Sequence, residues 1–113
     1  MATDVRVVLM TAPDTETGER LGTQLVEERL ATCVNVVPSL SSIYWWEGKV
    51  ERAREALLIL KTVEGRVAAL RERAVGLHPY DVPELLVLEV MEGHEPYLEW
   101  VRRESHSGTA EKG

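Results

Sequence analysis

The sequence predicts an α+β fold, a ferredoxin-like βαββαβ sandwich followed by a C-terminal helix, and three observations carry that expectation. Short runs rich in Val, Leu and Ile alternate with two stretches of helical periodicity, in the order strand, helix, strand, strand, helix, strand. Glu47-Gly48-Lys49 interrupts two strand-like runs as a hairpin tip would, with a glycine free to take positive φ. Apolar residues also stand at consecutive positions in several strands, so they fall on both sheet faces, and the helices of this fold cover only one.

Each element has its own signal. Val5 to Met10 is almost wholly apolar, and Pro13-Asp14 behind it announces a helix start. From Thr15 to Ala31, Leu21, Leu25, Val26 and Leu30 recur at helical spacing, with Gly18 and Gly22 one turn apart to allow close approach to a sheet. Cys33 to Val37 and Ile43 to Trp46 read as strand, and Pro38 with the serines between them predicts a bulged or edge strand. Trp45 and Trp46, being neighbours, project to opposite faces of it, of which one can enter the chain's own core.

Val50 to Thr62 forms the returning strand, and its Ala56 to Leu60 run is apolar on both faces. Val63, Val67, Leu70, Ala74 and Leu77 mark a second amphipathic helix that must stop near Leu77, because Pro79 follows. Leu85 to Met91 is a fourth strand, and Pro96 opens a last helix with Tyr97, Trp100 and Val101 on its apolar side. The domain is expected over residues 1–104. Residues 105–113 have too little apolar content to hold a fold and are expected to form a disordered tail.

Composition excludes several classes of function. Nineteen acidic against thirteen basic residues give a net charge of −6, which repels phosphate backbones, so nucleic acid is not an expected partner. No apolar stretch approaches membrane-spanning length, and the start Met-Ala-Thr-Asp lacks the pattern of a signal peptide. Cys33 is the only cysteine, so no intrachain disulfide forms, and the expected location is cytoplasmic. Ser39, Ser41 and Ser42 lie in no nucleophile elbow, no phosphate-cradling glycine loop or zinc motif is present, and Glu51 with Glu55 reads as a solvated face. An enzyme is therefore not expected. A sheet face left bare would form an apolar patch far larger than a monomer carries, which predicts that other copies of the chain bury it.

The segments Met10 to Asp14, Glu28 to Pro38, Ser42 to Lys49, Leu58 to Thr62, His78 to Leu85 and Tyr97 to Trp100 together resemble the CutA family, named for tolerance to divalent cations. The resemblance runs from residue 5 to about 103. It implies a tight homotrimer related in architecture to PII signalling proteins, with the hairpin carrying Tyr44 to Lys49 near a subunit boundary. It also implies a binding role in tolerance to copper or other divalent metals, with no required cofactor and no established reaction. A PII-like signalling or scaffold trimer, binding a small effector or a protein at its clefts, is the alternative.

His78 is the first metal candidate, because imidazole binds copper and zinc well, and a histidine hydrogen-bonded at a helix end is the competing reading. Copper ligands assigned in family members join a cysteine in the first strand to two adjacent histidines before a Pro-Tyr pair. Those positions here are Met10, Leu77 and His78, which leaves Met10 as a soft thioether donor or as core packing. Asn35, Trp46, Glu47, Lys61, Glu84 and Tyr97 form a second candidate set for a small anionic or zwitterionic ligand, with an interfacial network of hydrogen bonds and ion pairs as the competing reading.

Overall fold

A computed structural model describes residues 2–106 of the chain. The strands are β1 (Val5–Ala12), β2 (Cys33–Trp46), β3 (Lys49–Val63) and β4 (Leu85–Glu89), and the helices are α1 (Thr15–Glu27), α2 (Val67–Leu77) and α3 (Glu95–Glu104). The strands form one sheet in the order β2-β3-β1-β4, with every neighbouring pair antiparallel, as the predicted sandwich requires.

Strand alternation divides the sheet into two faces. Val8, Met10 and Ala12 lie beside Leu60, Leu58 and Ala56, and β2 adds Val34 and Val36 to the same side. These residues pack under α1 and α2 with Leu21, Leu25, Leu70 and Ala74 in the main core. The two glycines of α1 permit that contact. A Cβ on Gly22 would stand 3.0 Å from Val34 Cγ1, and one on Gly18 would stand 3.0 Å from Leu58 Cδ1.

Helix ends follow local chemistry. The Asp14 carboxylate accepts the Thr17 N–H at 2.8 Å and caps α1. At the other end Leu30 N–H reaches the Leu25 carbonyl and Arg29 N–H reaches that of Val26, a Schellman arrangement that puts Arg29 in the left-handed region at φ +62°. The helix thus ends at Glu27, short of the predicted Ala31. α2 begins only after a 3₁₀ turn over Glu64–Arg66, so Val63 belongs to β3, while Leu70, Ala74 and Leu77 keep the predicted stripe.

The opposite sheet face differs from expectation at one end. α3 lies across it and buries Leu98 and Val101 against Val5, with Val63, Val90 and Trp100 at the margin. Leu98 is the residue of this stripe that the sequence reading passed over. Thr32 Oγ1 donates to the Val101 carbonyl and meets Ser105 Oγ, so Ser105, assigned to the tail, is buried against the domain. The expected tail beyond it lies, over residues 107–113, outside the described residues.

β2 and β3 continue past the end of β1, whose last pair is Ala12 with Ala56, as a two-stranded arm that makes the molecule 51 Å long. Pro38 and Ser39 stand opposite a single residue of β3, the predicted bulge, and Ser39 takes φ +54°. The tip is a two-residue turn with positive φ at both Glu47 and Gly48. Neither indole enters the core, in contrast to the expectation for one of them. Trp45 is 74% and Trp46 58% exposed, because the arm has left the helices behind.

Candidate functional site

Among the described residues, two gatherings of polar side chains bear on the nominated positions. At the base of the arm, Glu55 accepts a hydrogen bond from Ser42 Oγ at 2.5 Å on one carboxylate oxygen and from Tyr80 OH at 2.7 Å on the other. Burial and this carboxylate hold the Tyr80 phenol well above its ordinary pKa, so the hydroxyl stays protonated and donates. The loop carrying Tyr80 is pinned by His78. Because Tyr80 N–H must donate, His78 Nδ1 accepts it at 3.1 Å, and Nε2 carries the proton that goes to the Thr11 carbonyl at 2.7 Å.

That geometry bears on both nominated metal ligands. The buried imidazole of His78 uses both ring nitrogens, so no lone pair faces a cation, and the hydrogen-bonding role fits the structure. Met10 is fully buried in the core opposite Leu58 and Leu85. Its thioether is packing rather than a presented donor. Among the described residues no three His, Cys, Asp or Glu side chains stand close enough to share a metal ion.

The second gathering lies on the sheet face shared with α3. Lys61 Nζ donates to Asn35 Oδ1, and Cys33, the cross-strand neighbour of Lys61, places its Sγ 3.6 Å from Tyr97 OH. Burial, then the thiol contact, push the Tyr97 hydroxyl up to about 12. The Tyr97 ring also meets Trp100, with centroids 5.5 Å apart. Three of the six nominated ligand residues, Asn35, Lys61 and Tyr97, thus stand together.

Trp46 and Glu47 do not join them in one chain. Lys61 lies twelve residue steps along β3 from Lys49 at the tip, roughly 40 Å of extended ribbon. Glu84 precedes β4, whose first residue pairs with Met10, at the other end of the sheet from Val7 and Lys61. Glu55, Tyr80 and Ser42 were missed as a network. The available signal was a carboxylate directly ahead of the apolar run Ala56–Leu60, in a strand that a Pro-Tyr loop had to pass.

Comparison with known proteins gives this arrangement its setting. The family model described as "CutA1 divalent ion tolerance protein" matches residues 6–104. The divalent-cation tolerance protein CutA of Thermus thermophilus is 49% identical over 96 residues, covering 85% of this chain and 93% of its own. The chloroplastic CutA 1 of rice, Oryza sativa, is 48% identical over 96 residues, again 85% of this chain, which spans only 54% of that relative's length. Among solved structures, the Thermus thermophilus protein superposes with a TM-score of 0.88 at 46% identity, covering 90% of this chain and 99% of that one. CutA1 from Oryza sativa gives 0.90 at 43% identity, covering 95% and 98%. The agreement runs through all four strands and all three helices, and the chain belongs to the CutA1 divalent ion tolerance family.

Proposed function

We propose that this chain serves divalent-cation tolerance in the cytoplasm as a homotrimer that works by binding rather than by catalysis. The observation that carries the assembly is the sheet face opposite α1 and α2. Val7, Leu9, Leu57, Ile59, Leu86 and Leu88 share it, and α3 covers only its Val5 and Val63 end. Leu86 and Leu88 are exposed in the single chain, and a contiguous apolar surface of this kind favours burial by another copy. The arm supports the same reading, since an isolated two-stranded ribbon is marginal in water and gains stability by lying on a neighbour.

The cation is the cargo of this reading, with copper the first to test. A single chain offers no ready cluster of donors among the described residues, so the donors come from different copies brought together at the subunit boundary. Glu47 at the tip and Glu84 before β4, both exposed in the single chain, are the carboxylates to test first in this reading. Light scattering joined to calorimetric titration with Cu(II) and Zn(II) tests this. A mass three times 12.7 kDa is expected, with saturable binding that Ile59→Asp abolishes as it splits the assembly and that His78→Ala leaves intact. A wild-type mass of 12.7 kDa, or equal metal binding by the Ile59→Asp chain, overturns the reading.

A further inference from the structure

The open sheet face is built in rows across the four strands. Cys33, Lys61, Val7 and Leu88 form one row, and Asn35, Ile59, Leu9 and Leu86 form the next. Lys61 is therefore an ammonium group set beside Val7, with Ile59 and Val63 on its own strand face. Covering this face by a second copy strips water from that charge, which is costly unless a partner of opposite sign replaces it. Arg6, Arg29, Arg73 and Arg102 each hold a carboxylate. Lys61 holds none among the described residues, and its partner is the neutral amide of Asn35.

The chemistry around Lys61 is one-sided. An ammonium only donates, so Asn35 must turn its oxygen toward Lys61, which leaves the two amide N–H bonds of Asn35 to face elsewhere. Tyr97 adds a hydroxyl that stays protonated at neutral pH, placed through its contact with Cys33 beside the same row. The donors thus comprise the remaining ammonium hydrogens, an amide and a phenol, with the Tyr97 and Trp100 rings as an apolar wall. Such a set matches an oxyanion on an apolar stem.

We infer that Lys61, Asn35 and Tyr97 form a carboxylate seat at the rim where α3 meets the open face. The seat deepens the assembly reading above, since the covering copy is what makes a counter-charge necessary. Two sources carry this chemistry, a free small carboxylate with an apolar body and the acidic side chain of a neighbouring copy.

Three lysines, Lys49, Lys61 and Lys112, make the test direct. Protein labelled at lysine Cε and Nζ gives three side-chain signals, and Lys61→Arg assigns the one that matters. If the seat takes a free carboxylate, sodium benzoate moves the Lys61 signal saturably and leaves the other two in place. Asn35→Asp, which supplies an internal counter-charge, then weakens the response by roughly tenfold or more. If a neighbour's carboxylate fills the seat, benzoate has no effect, the Lys61 ammonium protons are protected from exchange in the assembled protein, and Glu47→Gln or Glu84→Gln removes that protection. A Lys61 signal that neither responds nor is protected overturns the seat. Light scattering on the same sample judges the assembly separately. A trimeric mass with an inert Lys61 rejects the seat alone, whereas a mass of 12.7 kDa rejects the assembly and leaves benzoate to decide the seat.

Discussion

The two faces of the sheet are made of the same strands and much the same residue types, yet they meet opposite fates in one chain. Leu58 and Leu60 are fully buried under α1 and α2, while Leu57 and Ile59, their neighbours on β3, are only partly covered. The difference lies in what each face meets. α1 has two small residues that let it settle on Val34 and Leu58, whereas α3 is a single short helix that closes only the Val5 end of the other face. The lesson is that β3 carries two apolar faces at once, one closed within the chain and one that α3 closes only at its end.

The sharpest way to break this contrast is to remove volume from the closed face. Leu58→Ala deletes a fully buried side chain and is expected to lower unfolding stability by about 2–5 kcal/mol, read from urea denaturation. Ile59→Asp, one residue along, is expected to keep the native far-ultraviolet circular dichroism and lose the proposed assembly instead. If both variants unfold alike, the two-face description fails.

A smaller effect is expected from Gly22→Ala. The new Cβ meets Val34 Cγ1 at 3.0 Å, so α1 must lift or Val34 must turn, a crowding of about 1–3 kcal/mol. The roughly 1 kcal/mol that alanine gains over glycine inside a helix offsets part of it. An unchanged thermal midpoint would show that close packing of α1 does not distinguish the faces. Tyr80→Phe comes next. It removes the hydrogen bond to Glu55 and leaves Ser42 as that carboxylate's remaining side-chain donor, a loss of about 0.5–1.5 kcal/mol in the same denaturation experiment.

The smallest effect belongs to the open face and depends on pH. The Tyr97 hydroxyl is raised from 10.0 to about 12 in the fold, so the folded state holds its proton more tightly than the unfolded chain. Its contribution is fully present below pH 10.0 and fades as pH rises toward about 12. Tyr97→Phe should therefore flatten the alkaline limb of the stability profile, measured by thermal melts across that interval. A limb that stays equally steep would place the titration elsewhere.

Most of the fold was legible because its signals are local. The glycine pair of α1, the Pro38 break in β2, the Glu47-Gly48 turn and the apolar run of β3 each act through neighbouring residues, and each appears where expected. The site was less legible. His78 and Met10 have the right donor atoms for a metal, but ligation depends on free lone pairs and access, and the hydrogen bonds of His78 and the burial of Met10 are set by elements distant in sequence. Likewise Asn35 and Lys61 meet because β2 and β3 pair, while Trp46 and Glu47 are carried to the far end of the same ribbon.

The sequence by itself determined the order of elements, the antiparallel hairpin, the bulge, and the presence of apolar residues on two faces, because periodicity, proline and glycine act over a few residues at a time. Only the tertiary structure decided that α3 closes one end of the second face, that Glu55 ties the arm to the Tyr80 loop, and that Lys61 stands on that face with a neutral partner. Those outcomes depend on which residues, dozens of positions apart, are brought within a few ångströms. Strand register and helix docking fix that, and no local pattern contains it.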